Sequence, residues 1–302
     1  MSDDLDTLAE QIHAILRMAP GSAPDHRALH AKGVVATGAF TAGGGLAGRT
    51  TAAHLVEGTV PATVRFSHPG GDPGVSDVLP SARGMAVKLR APGGAHDLVT
   101  VTSPAFLARD GASFVELLLA RAPDPETGAP DPARMGAYLE AHPEALPAIE
   151  AVLTAKVAAS YATLAYNSLH TFFLVDDAGT RTPVRFTWTP VAGVAYLDDA
   201  SDRDPDFLAQ ELADRLASGP AAFDLVVHLG TDDDPTDDPT AIWPERPTIV
   251  AGRLELRAID PDAEPIIFDP TNVPAGVELP PGDEILALRR LVYGHSYATR
   301  TA

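Results

Sequence analysis

Residues 81–110 read SARGMAVKLRAPGGAHDLVTVTSPAFLARD. Two short strand-like runs lie inside this stretch, at 84–90 and 97–102, each bounded by Gly, Pro or Asp. The same pattern recurs on both sides of it: at 31–40 and 62–67 before it, and at 169–176, 181–190, 223–230 and 248–259 after it. Eight strands with turn signals between them predict a closed antiparallel eight-stranded β-barrel, because closure leaves no exposed edge. Helices are predicted at 2–18, 111–122, 131–162, 204–218 and 283–299. The first places Leu5, Leu8, Ile12 and Ile15 on one face, with Ser2 or Asp3 as its cap. Pro143 and Pro147 break the third. The class is α+β. No linker or internal repeat divides the chain, so 1–302 reads as one domain. Its parts are an N-terminal helix at 2–18, a barrel with helices over about 25–260, and a final helix at about 283–299.

Composition narrows the chemistry. The formal charge of −19 argues against nucleic acid and anionic membranes as partners. No segment reaches 18 consecutive apolar residues, so no membrane span is expected. The acidic start MSDDLD has no apolar run behind it and is not a secretion signal. A cytoplasmic protein is the expectation. Cysteine is absent, which excludes disulfides, thiolate nucleophiles and cysteine-held metals. Any metal must be held by His, Tyr, Asp, Glu or Met. The run TDDDPTDD at 231–238 lacks the glycine and glutamate of a calcium loop and reads as a solvated loop. The glycines at 43–45 are not followed by Gly-Lys-Ser/Thr and read as a turn rather than a phosphate cradle.

Some residues carry sharper readings beside plain ones. Arg289 and Tyr293 are four apart, so they share a helical face. Tyrosine binds ferric iron well only as phenolate, and an arginine aimed at its oxygen favours that anion. The plain reading is a tyrosine packed on an arginine stem. His30 can shuttle a proton between two peroxide oxygens, or be a structural histidine. Arg27 and Arg65 can clamp carboxylates, or lie on the surface. Ser67 can orient an imidazole, or occupy an exposed turn. Phe114 can stack on a planar ligand, or fill the core.

In combination these residues resemble the haem catalases. RALHAKG at 27–33 resembles the distal histidine motif, and TVRFS at 63–67 the strand that follows it. The 81–110 stretch, with RGMAVK and DLV, is similar to the central block of that family. FDPTNVPAG at 268–276 is similar to the segment before the proximal helix, and RRLVY at 289–293 fits the proximal Arg-x-x-x-Tyr. These matches keep their order over nearly the whole chain. The resemblance implies a catalase-type barrel holding haem b, with Tyr293 as proximal iron ligand and Arg289 favouring its anion. It implies His30 as distal base and acid, with Ser67 bonded to its ring. Arg27, Arg65 and Arg300 would hold the haem propionates, Phe114 would stack near the haem, and His170 matches a family histidine near the cofactor.

The departures are equally specific. Val101 stands where catalases place the distal asparagine; a shift of one residue would put Thr100 or Thr102 there instead. Ser81 stands at the family's substrate-channel aspartate. Nine residues follow Tyr293, and no long N-terminal arm precedes 25, so the chain resembles the minimal catalase-related haem peroxidases. The expected activity is reduction of hydrogen peroxide or organic hydroperoxides by a small organic donor, with weak or no catalase activity. Allene-oxide-synthase-like rearrangement of hydroperoxides is one alternative, and a barrel that binds haem or another apolar ligand without turnover is another. A homodimer is the default assembly.

Overall fold

The computed structural model describes residues 2–124 and 127–302. The side chains of Ser2 and Asp3, the expected helix cap, lie outside the described set. In chain order the strands are β1 (Gly33–Ala42), β2 (Thr59–Ser67), β3 (Gly84–Ala91), β4 (Gly94–Val101), β5 (Tyr166–Ser168), β6 (Phe172–Val175), β7 (Arg181–Pro190), β8 (Ala221–Leu229), β9 (Thr248–Ile259) and β10 (Val277–Glu278). The order β1-β2-β3-β4-β5-β7-β8-β9 runs antiparallel, and β9 pairs back onto β1 to close an eight-stranded barrel. The run expected as a barrel strand at 169–176 is placed differently. Within it only Phe172–Val175 is strand, as β6, which continues along the edge of β7 and pairs outside with β10; the strand that joins the ring, β5 at Tyr166–Ser168, lies just before the expected run and was not predicted.

Period-two alternation fills the barrel. Ala62, Val64 and Phe66 of β2 point inward, as do Met85, Val87 and Leu89 of β3 and Leu98 of β4. Phe66 lies against Tyr161, Tyr166 and Phe223 with ring centroids 5.2 to 6.1 Å apart. Burying one such ring contributes roughly 1.5–3 kcal/mol. The alternate residues of β2 to β4, among them Arg65, Ser67, Ala86, Val99 and Val101, point outward.

Among the described residues, six helices of eight residues or more surround the barrel, besides a single turn at Ala53–Val56: α1 (Ser2–Arg17), α2 (Gly111–Arg121), α3 (Pro132–Ala141), α4 (Leu146–Leu153), α5 (Phe207–Ser218) and α6 (Glu284–Thr301). Ala9, Ile12 and Leu16 of α1 pack on Leu288 and Val292 of α6. Asp110 starts α2 with a capping box to Ser113. Helix was expected through 162, but α4 ends at Leu153. Thr154 turns its hydroxyl back to the Glu150 carbonyl, and Val157–Ala158 then pairs with Tyr196–Leu197.

Residues 268–276 fasten the last helix to the wall. Lys88 and Asp97, paired at 2.6 Å on the outer face of β3 and β4, receive this segment. Asp97 accepts from the Asp269 amide at 2.8 Å, and its own amide donates to the Asn272 carbonyl at 3.0 Å. The acidic run at 231–238 is less solvated than expected. Asp234 is buried, takes Arg246 at 2.6 Å and accepts from the Thr231 amide.

Candidate active site

A cleft lies between the outer face of β2 to β4 and the flank of α6. The turn before β1 supplies Arg27 and His30, β2 supplies Arg65 and Ser67, and α6 supplies Arg289, Tyr293 and Arg300. Leu16, Leu29, Met85, Val99, Phe268 and Val292 make the rest of the wall largely apolar.

His30 has φ 56°, the left-handed region, and is the one such non-glycine among the described residues. That conformation costs on the order of 1–3 kcal/mol and persists only where its surroundings impose it. Arg65 helps impose it: its guanidinium donates to the His30 carbonyl at 2.8 Å and the Ala31 carbonyl at 3.1 Å. The same turn is tied to α6, where Ser296 Oγ accepts from the Ala28 amide at 3.0 Å. The ring of His30 meets Ser67 Oγ through Nδ1 at 2.8 Å, leaving Nε2 available to a ligand. Gly84 makes room for this pair. A Cβ there would stand 2.7 Å from Ser67 Oγ and 2.9 Å from the His30 ring. Burial, together with the charges of Arg65 and Arg289, holds the His30 pKa down to about 3. The imidazole is therefore neutral near pH 7 and can accept a proton.

On the facing side, Arg289 donates to the Tyr293 oxygen from Nε at 3.2 Å and from a terminal nitrogen at 3.0 Å. The four-residue spacing thus places the guanidinium on the phenol. Asp283 organises the start of the same helix. One of its oxygens accepts from the Leu286 amide at 2.9 Å, and the other meets His170 Nδ1 at 2.6 Å. Both side chains are buried.

At the third edge Arg27, Arg65 and Arg300 converge. Glu264 pairs with Arg65 at 2.6 Å and Arg27 at 3.0 Å, and the Ile266 carbonyl takes Arg27 and Arg300. Burial pushes the pKa of both Arg65 and Arg300 down to about 10, with the charge of Arg27 adding to the effect. Buried Nε atoms of Arg27 and Arg300 have no partner. Three guanidiniums with one shared carboxylate leave capacity for further anions.

Two expected residues lie elsewhere. His170 is buried behind the start of α6 and does not line the cleft. Phe114 packs among α1, α2 and Phe106, its ring centroid 5.3 Å from that ring, and is also absent from the cleft wall. Val101 does line it. In register, Val101 faces Gly84, which faces Ser67, so all three lie at the level of His30. Thr100 spends its hydroxyl on the Met85 carbonyl, and Thr102 accepts from the Arg83 amide. Asn167, across from Val101, bonds to Ser103 and Thr187. Reading the sequence missed Glu264, Asp283 and Gly84. Only Asp283 left a signal, a capping residue type just before a helix.

A model of the family described as Catalase matches residues 15–302. The chain belongs to the catalase family. A catalase-related peroxidase of Mycolicibacterium paratuberculosis is 37% identical over 294 residues, covering 95% of this chain and 92% of that protein. A catalase-related peroxidase of Synechococcus elongatus is 32% identical, covering 90% and 82%. A fungal catalase structure superposes with a TM-score of 0.80 at 23% identity, covering 91% of this chain and 59% of that one. That structure supports the barrel fold alone.

The catalase family implies a haem, and the cleft fits one. Its walls are apolar, its arginine edge has unpartnered nitrogens suited to two propionates, and a phenol oxygen held by a guanidinium faces inward. Among the described residues, no helix is long and apolar enough to cross a membrane.

Proposed function

We propose that this protein is a haem-dependent peroxidase that reduces hydrogen peroxide or organic hydroperoxides at the expense of an organic donor. The observation carrying this reading is one cleft with two furnished sides. Tyr293 under Arg289 stands on α6, and a neutral His30 held by Ser67 stands on the barrel wall. Haem b needs no thioether link to the chain and so suits a protein without cysteine, with Tyr293 as ligand and the arginine edge at its propionates. When bound, its iron supplies the redox centre.

The protein supplies position and protons. Arg27, Arg65 and Arg300 hold the propionate edge. Arg289 favours the phenolate of Tyr293 as ligand. His30 takes a proton from one peroxide oxygen and returns it to the other as the O–O bond breaks, and Ser67 fixes the ring for both transfers. The overall balance is one peroxide and two donor molecules, each giving one electron and one proton, to water and the reduced peroxide fragment. Val101 offers no amide to position a second peroxide, so catalase activity is weak or absent. His170 acts from behind α6, through Asp283 and the helix start. The reading treats 1–302 as one domain, in the cytoplasm, with a homodimer as the default assembly.

The decisive experiment is reconstitution with hemin, followed by peroxide titration with and without a phenolic donor. A Soret band and donor-dependent peroxide consumption are expected. Absence of a haem spectrum would defeat the reading. A haem spectrum without reaction would favour a passive haem-binding barrel.

A further inference from the structure

A second cleft, of about 250 Å³, is lined by chain segments that directly flank the strand ends lining the first. Gly84 and Val101, at the paired ends of β3 and β4, line the cofactor cleft, whereas Ser81, Ala82, Thr102 and Ser103, just beyond them, line the second. At roughly 3.3 Å per extended residue, Ser103 lies within about 7 Å of Val101 along the chain. The opposite wall comes from α4 and the short Val157–Ala158 and Tyr196–Leu197 pair.

The wall beside Ser81 is held firmly. Arg83 is fully buried, and its guanidinium donates to the carbonyls of Asp77, Leu79, Ser81 and Ala82. Four backbone carbonyls on one cation fix the loop in a single shape.

The lining is chemically selective. The chain has three lysines. Lys32 pairs with Asp77 and Asp206, and Lys88 pairs with Asp97. Lys156 is in this cleft, and among the described residues it meets no carboxylate; its ammonium sits 6.0 Å from the ring centre of Tyr196. In a chain with 41 acidic and 22 basic side chains, a lysine left without a carboxylate stands out. Ser81, Ser103 and Thr154 each donate their hydroxyl proton to a backbone carbonyl, so their oxygens remain as acceptors. Val152, Leu164 and the Tyr196 ring provide apolar surface. An aromatic ring, an anionic group at Lys156 and a hydroxyl donating to a serine oxygen together satisfy this lining.

We propose that the second cleft binds the organic electron donor, and that the donor is an anionic phenol; this rests on the peroxidase reading above. Each phenol gives up one electron and its hydroxyl proton, and two such losses balance the two-electron reduction of one peroxide.

The test uses haem-loaded protein, hydrogen peroxide and three phenols of similar shape: para-hydroxyphenylacetate (anionic), para-cresol (neutral) and tyramine (cationic). Lys156→Glu is expected to raise the apparent KM for para-hydroxyphenylacetate about tenfold or more, equivalent to about 1.4 kcal/mol. It should lower that for tyramine and leave para-cresol and the donor-free reaction with peroxide unchanged. Lys156→Gln should weaken the anionic donor without favouring the cationic one. Equal effects on all three phenols, or none, would overturn the proposal. Calorimetric titration with para-hydroxyphenylacetate, without peroxide, separates binding from turnover. Saturable binding in the wild type that Lys156→Glu abolishes supports the cleft even if no phenol is oxidised, an outcome that would sink the peroxidase reading instead. No saturable binding in the wild type removes the cleft proposal whatever the turnover.

Discussion

Asp283 holds His170 at 2.6 Å with one carboxylate oxygen while its other oxygen caps the helix that carries Tyr293. A single buried side chain therefore sets both the start of α6 and the position of a histidine behind it. Asp283→Ala should cost about 1 kcal/mol for the lost cap. It should cost a further 1.5–3 kcal/mol or so for the lost hydrogen bond to a charged acceptor. Asp283→Asn, which can still cap, should recover part of this. Denaturant unfolding of both variants measures the split, and equal losses would show that the cap does not contribute separately.

Tyr293→Phe removes the only ligand atom that α6 offers to the cleft among the described lining residues. The variant should lose the Soret band or most of its haem while keeping its far-ultraviolet circular dichroism. Retention of full haem with an unshifted spectrum would remove Tyr293 as the ligand.

His30→Ala should keep its haem and slow the reaction with peroxide by about two to four orders of magnitude, the usual worth of a positioned acid–base group. Gly84→Ala should do part of the same damage without touching His30, because the added methyl would press on Ser67 Oγ and the His30 ring at 2.7 and 2.9 Å. Stopped-flow mixing with peroxide measures both. A Gly84→Ala variant as fast as wild type would mean that His30 can act from a displaced position.

Val101→Asn would place an amide on the cleft wall at the level of His30. One well-placed donor of this kind is worth about a hundredfold or more in enzymes that depend on it. Oxygen release from peroxide, followed with an electrode, should rise in the variant. An unchanged rate would show that the side chain at 101 does not limit catalase activity.

Acid should destabilise the fold through a buried pair that does not line the cleft. His54 Nε2 and His96 Nδ1 lie 3.1 Å apart, and burial lowers their pKa values to about 4 and about 3. In the unfolded chain each takes up a proton near pH 6.5 or so. Between that pH and about 3 the unfolded state binds more protons, so stability falls as the pH drops through this window. The Tm should fall between pH 7 and pH 5 or so, and a His54→Gln, His96→Leu double variant should show a shallower slope. An identical slope would locate the acid sensitivity elsewhere.

The barrel was legible because short strand-like runs are bounded by turn residues, and 181–190 and 248–259 each form one strand over the whole expected range. The ring strand at Tyr166–Ser168 was missed, and 169–176 was read in its place, because three residues are too few to leave a period-two mark. Arg289 and Tyr293 meet as helical spacing requires. His30 and Ser67, 37 residues apart, meet only because β1 and β2 pair with Gly33 opposite Ser67. Glu264 was illegible for a related reason: one carboxylate in an acidic chain has no signature until two arginines converge on it. Phe114 matched by position along the chain, yet side-chain direction, which order alone does not encode, sends it into helix packing.

The cofactor cleft lies outside the barrel, between α6 and the outer face of the strands. A molecule that fills it must touch both, so it binds only the docked arrangement. Ligand concentration and helix docking are then linked quantities: at a hundred times its Kd, a cofactor adds about 2.7 kcal/mol to the docked state. The cell's haem supply would thus set how much of this protein survives proteolysis, making its abundance report on cofactor availability before any peroxide is met.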